Sequence, residues 1–151
     1  MCWFLSGSGQ QDGFLKDCLD AHNKYRAEHG VPPLVWNETL AAEAQAWANS
    51  LSSKNLFKHD YASITNKAEG ENLAYFKPSS PKCNGPKTPK CVQCREIVKD
   101  WYDEVDDYNF NTGEAKRTGG VVLHFTQVSQ SLCSRIQQRF LPEMYAINQL
   151  I

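Results

Sequence analysis

Imidazoles, carboxylates and thiols are the groups in this chain that could hold a metal or move a proton. The 151 residues include 4 histidines, 17 acids and 6 cysteines. A neutral imidazole is a good zinc ligand, and a neighbouring carboxylate can orient its other N–H or activate a bound water. Spacing alone does not gather such groups here. No helical His-Glu-x-x-His pair occurs, so a zinc-protease reading has no motif behind it. No nucleophile elbow supports Ser/His/Asp catalysis. By pattern, His59 is a loop histidine, and Glu104 is one acid among Asp103, Asp106 and Asp107 on a solvated helix face. His22 falls on the inner face of a helical segment, which favours a structural hydrogen bond.

The thiols are as ambiguous. Cys83, Cys91 and Cys94 cluster around one Cys-x2-Cys pair, whereas Cys2, Cys18 and Cys133 are scattered. A zinc knuckle lacks a fourth ligand nearby, so a disulfide or free loop thiols are favoured over it. The start, Met1-Cys2-Trp3-Phe4-Leu5-Ser6-Gly7, is short and has no basic flank, and does not read as a secretory signal. Cys2 also stands where N-myristoylation requires Gly. On this basis reduced thiols and an intracellular location are expected. Asn37-Glu38-Thr39 is a glycosylation sequon that counts only in a secreted chain. Asn37 is also placed to cap a helix, the role favoured here.

These residues need a frame. Apolar residues make up 41% of the chain, enough for one domain with a real core. The net charge of −1 argues against nucleic acid as the main partner. No apolar run is long enough to span a bilayer. Residues 1–12 read as a flexible Gly/Ser-rich lead. A helix follows Asp12, with Leu15, Leu19, His22 and Arg26 on one face, and stops at Gly30 before Pro32-Pro33. Leu34-Val35-Trp36 is extended. Asn37 caps a second helix to about Leu51, with Leu40, Ala44, Trp47, Ala48 and Leu51 as its buried stripe. Residues 52–70 read as loop, and Glu71 to Phe76 as a short apolar piece. Residues 77–94 form a Pro- and Cys-containing insertion. A third helix runs from about Val92 to Tyr108, with Ile97, Val98, Trp101 and Val105 inward. Trp47 and Trp101 read as core rather than as a ligand cage. Val121 to Val128 alternates and is β-branched, a strand by pattern.

Four segments, in order, carry a resemblance: Ala21-His22-Asn23-Lys24-Tyr25-Arg26, Gly70-Glu71-Asn72-Leu73-Ala74, Asp100-Trp101-Tyr102-Asp103-Glu104-Val105 and Leu123-His124-Phe125-Thr126-Gln127-Val128. Together they resemble the CAP superfamily of cysteine-rich secretory, antigen 5 and plant pathogenesis-related proteins (the SCP domain). The segment Lys24 to Leu34 looks most like its intracellular, Golgi-associated branch. The resemblance covers roughly Phe14 to Val128, taken as a CAP domain over 13–128. It implies an α+β fold, an α-β-α sandwich. It also implies that the last stretch of this segment is a short helical turn, against the strand pattern. Residues 129–151 depart from the family. After Gln127-Val128 the chain reads Ser129-Gln130-Ser131-Leu132-Cys133, and Ile136, Phe140, Met144 and Ile147 suggest a helix broken at Pro142. This divergent tail predicts a sandwich missing its last two strands, with a bare sheet edge.

The resemblance also nominates a site. In the family two His and two Glu line one cleft that can hold a divalent metal. The matching residues are His59 and His124 as metal donors, with Glu71 and Glu104 as cleft acids. Two protein ligands suggest at most a weak zinc site. The function implied is non-enzymatic binding of a lipid, a sterol or a protein partner, with peripheral membrane contact and homodimer formation, and without nucleic acid. The missing basic charge and myristoylation signal weigh against tight membrane binding. A zinc-assisted, peptidase-like hydrolase using the same cleft is the alternative, and a truncated isoform without independent function is a further one. Many family members are extracellular.

Overall fold

The computed structural model describes residues 13–66, 69–76, 81–88, 91–129, 135–140 and 144–150. The expected N-terminal lead, Cys2, Cys133, and the positions 77–80 and 89–90 of the insertion lie outside the described residues.

Helix α1 spans Gly13–Glu28 and ends where predicted, with Gly30 at φ +66°. Its buried face is Phe14, Cys18, Ala21, His22 and Arg26, rotated slightly from the predicted stripe; Leu15 and Leu19 pack at its margin. Strand β1 is Val35–Trp36, and α2 is Glu38–Ser53. Asn37 caps α2 as expected: its Oδ1 accepts the Thr39 and Leu40 N–H groups at 2.9 and 3.2 Å. The stretch read as loop contains a short helix, α3, at Tyr61–Asn66. Its six residues are too few to show a periodic stripe. Asp60 starts it, taking the Ser63 N–H and hydroxyl.

Strand β2 is Glu69–Tyr75. Helix α4 covers Cys94–Tyr102 and tightens into a 3-10 turn over Asp103–Asp107. A hairpin of β3 (Tyr108–Asn109) and β4 (Glu114–Ala115) follows. Next comes α5, Leu123–Ser129. The strand pattern is overruled there, and the resemblance is right. Val122, Phe125 and Val128 are buried at three-residue spacing, while Val121 and Leu123 face solvent.

The chain then forms two strands, β5 (Arg135–Phe140) and β6 (Met144–Leu150). This corrects two expectations: the fold does not lack its last two strands, and the tail is not a broken helix. The four-stranded sheet runs β1-β5-β6-β2. β5 lies parallel to β1 and antiparallel to β6, and β6 pairs antiparallel with all seven residues of β2, from Glu69↔Leu150 to Tyr75↔Met144. Ile136 and Phe140, like Met144 and Ile147, stand at helical spacing, so local pattern misleads. Pairing with two strands distant in sequence decides their conformation.

The result is a layered α+β sandwich. α2 covers β5 and β6 on one face, and α1, α4 and α5 pack together on the other. The larger core joins Phe14, Cys18, Ile97, Val98, Trp101 and Val128; a smaller one joins Ala48, Leu51 and Leu73. Disulfides Cys18–Cys94 and Cys83–Cys91, with Cα separations of 4.9 and 5.1 Å, replace the expected reduced thiols and leave no zinc knuckle at Cys91-x2-Cys94. The first ties α1 to α4 across 76 positions. In the chain-entropy picture such a crosslink stabilises by about 4 kcal/mol.

Candidate functional site

Strand β2 organises the site, and each residue of Gly70-Glu71-Asn72 has a separate task. A Cβ on Gly70 would lie 1.9 Å from the Gln127 Nε2, so glycine makes room for the side-chain amide that α5 sets against the strand. Two residues on, Asn72 points to the same face. Its Nδ2 donates to the His124 carbonyl at 3.2 Å, fixing the first turn of α5. Glu71 leaves the opposite face and reaches the loop before α3. Its Oε1 accepts from the His59 Nδ1 at 2.7 Å and from the Asp60 N–H at 3.0 Å. The Glu71 side chain has no exposed surface, whereas that of His59 is 40% exposed.

The second pair is built from the 3-10 turn after α4. Glu104 Oε1 accepts from the His124 Nδ1 at 2.7 Å. Its Oε2 accepts the backbone N–H groups of His124 and Phe125 at 3.0 and 3.2 Å. One carboxylate thus orients the ring and satisfies two orphan donors at the start of α5. Trp101 lies nearly parallel to the His124 ring, 14° between planes and 6.0 Å between centroids. The Trp101 ring also lies 6.4 Å from that of His22, tilted by 55°.

The structure arranges the four nominated residues as two His–Glu pairs, His59 with Glu71 and His124 with Glu104, linked through the adjacent residues Glu71 and Asn72. In each, the carboxylate accepts from Nδ1, so Nδ1 carries a proton, and in the neutral ring the lone pair is then on Nε2. A carboxylate behind an imidazole is the usual support for a metal-binding nitrogen. The donor set nevertheless falls short of a resident metal centre. Among the described residues, no three of His, Cys, Asp and Glu are grouped to hold an ion. The acids are already engaged, leaving two nitrogens where a catalytic zinc has three protein ligands.

Asn72 and Gln127 lie inside the motifs that carry the resemblance, yet neither side chain has an expected role from sequence. Trp101 is expected in the core. Trp101 is buried, and it also supports the site ring. The exposed rim was missed too. Phe57, Tyr61 and Tyr75 are each more than half exposed, with Phe57 edge-on to Tyr75 and Tyr61 edge-on to His59. Leu56 is exposed next to Phe57 in the chain, and Val121 and Leu123 are exposed just ahead of His124 in sequence. Such residues look like ordinary loop aromatics until the fold sets Tyr61 against the His59 ring and Phe57 against Tyr75 of the strand that bears Glu71.

His22 is confirmed as structural. It is fully buried on α1, donating from Nδ1 to the Cys18 carbonyl at 2.8 Å. Its Nε2 has no partner among the described residues. Burial lowers its pKa to about 4, with nearby Arg26 adding to the effect. Arg26 is itself buried, its guanidinium donating to the Pro32 and Val128 carbonyls at 2.8 and 3.0 Å, which holds the far end of α5.

Sandwich and paired His/Glu groups together define a class of domain. A family model described as the cysteine-rich secretory protein family, CAP, matches residues 19–136. The chain belongs to that family. It is 36% identical over 121 residues to the human Golgi-associated plant pathogenesis-related protein 1, covering 80% of this chain and 68% of that protein. It is 31% identical over 124 residues to pathogenesis-related protein 1A of Nicotiana tabacum, covering 82% of this chain and 64% of that one. With venom allergen 5 of Polistes fuscatus it shares 38% over 96 residues, but this chain spans only 40% of the allergen's length. Among solved structures it resembles BmVAL-1, with a TM-score of 0.66 at 24% identity, over 97% of this chain and 80% of that one. That likeness concerns the fold alone.

Proposed function

We propose that this chain is a non-enzymatic CAP-domain binding protein whose His/Glu region takes a lipid, a sterol or a protein partner. The observation that carries the reading is the state of the two acids. Glu71 has no exposed side-chain surface, and Glu104 is held by three hydrogen bonds. Neither is free to activate a water, which speaks against the hydrolase alternative. The surroundings suit binding instead: exposed Tyr61 lies edge-on to the His59 ring, and exposed Leu123 precedes His124 in the chain, as at surfaces that are covered by a partner. A divalent ion enters as a weak, exchangeable effector at the free Nε2 atoms of His59 and His124. The truncated-isoform reading rested on a sheet without its last two strands, and β5 and β6 are present among the described residues. Relatives include a protein named as Golgi-associated and others named as venom allergens. The two disulfides support an oxidising compartment for this chain.

Flotation of the full chain with anionic and with sterol-containing liposomes, with and without zinc, tests the lipid arm. Binding that weakens when Phe57 and Tyr75 are replaced by Ser supports it. No flotation under any condition removes the lipid claim and leaves the protein partner.

A further inference from the structure

The sequon Asn37-Glu38-Thr39 gains a geometry in the structure. Asn37 sits between β1 and α2 with extended backbone, φ −130° and ψ 112°. Its Oδ1 is used twice, accepting the Thr39 and Leu40 N–H groups. Its amide Nδ2 has no hydrogen-bond partner among the described residues. Glu38 and Thr39 are exposed, and residue 38 is not the proline that would disable the motif. Capping and modification therefore use different atoms of one side chain, and the helix-capping role does not exclude the other. The Oδ1 bond to the Thr39 N–H also folds the sequon into a compact turn around the acceptor amide.

A second observation comes from elsewhere in the molecule. Cys18–Cys94 and Cys83–Cys91 are paired, and such bonds form in the oxidising lumen where protein asparagines are glycosylated.

We propose that Asn37 is an N-glycosylation site, accepting an oligosaccharide from a lipid-pyrophosphate donor. The Nδ2 forms a bond to C1 of the donor's first sugar. The C1–oxygen bond to the pyrophosphate breaks, the lipid pyrophosphate leaves with the bonding pair, and one Nδ2 proton passes to base. The product amide keeps its Oδ1, so the cap on α2 survives. The glycan stands at the end of β1, the edge strand on which Val35 is exposed, and screens that edge from pairing with other chains.

The test is peptide mapping and intact mass of the full chain produced in cultured eukaryotic cells, before and after peptide-N-glycosidase. The expected result is a glycan-sized mass loss, with Asn37 converted to Asp in chains that carry both disulfides. Thr39→Ser keeps the modification. Thr39→Ala abolishes it while leaving the cap intact, because the cap uses only the residue 39 backbone. Unmodified Asn37 in disulfide-bonded chains overturns the proposal. A chain recovered with neither disulfides nor glycan overturns it as well, because the lumenal premise then fails.

Discussion

Glu104 shows how much one side chain can be asked to do. It orients the His124 ring and satisfies two N–H groups at the start of α5. Glu104→Ala strands those donors and should cost about 2–3 kcal/mol, read as a lower denaturant midpoint at an unchanged slope. A variant as stable as the parent would mean that water replaces the carboxylate fully. His22 carries a pH effect of definite sign. The ordinary value of its pKa is 6.5, and in the fold it falls to about 4 because burial disfavours the cation. The unfolded chain therefore binds this proton more readily than the folded one. Stability is full above pH 6.5 and declines as the pH falls toward 4, by about 3 kcal/mol from this ring. His22→Gln should make the fall in melting temperature between neutral pH and pH 4 shallower. An equal fall in both proteins contradicts the assignment.

At the scale of elements, β2 and α5 are fitted to each other through the absence of a side chain at Gly70. Gly70→Ala drives a methyl into Gln127 and should cost about 1–3 kcal/mol by thermal or chemical denaturation. In a Gln127→Ala background much of that cost should disappear. A penalty of the same size there would place the clash elsewhere. These elements also show what a sequence reveals. α1 and α2 were legible because their stripes, the Asn37 cap and the Gly30 stop are local signals. α5 was misleading by pattern because its helix is fixed by Glu104 and Asn72, which lie 20 and 52 positions away. The resemblance nominates the four site residues but not which acid meets which ring, and His59 lies outside its four motifs. The partner of each imidazole is far along the chain, and spacing holds no record of it. α3 is too short to leave a periodic trace.

For the whole molecule, the tail is the correction that matters most. Read locally, residues 129–151 offered no strand. In the fold they supply β5 and β6, the two inner members of the sheet, between β1 and β2. The strand bearing Glu71 and Asn72 is thus held in place by β6 along its full length. A chain ending at Ser129 should lose the sheet, melt without a cooperative transition and aggregate through its exposed faces. A soluble, cooperatively melting fragment would show that the helical layers stand without those strands.

The central claim is that Glu71 and Glu104 are committed to the Nδ1–H groups of His59 and His124, leaving both Nε2 atoms bare for a partner or an ion. Long-range proton–nitrogen correlation spectra of the histidine rings, recorded at neutral pH on the full chain, read this directly. The account predicts a protonated Nδ1 for both rings, with the Nε2 signals of His59 and His124 responding first to added zinc. Rings that carry their proton on Nε2, with Nδ1 free, would contradict it.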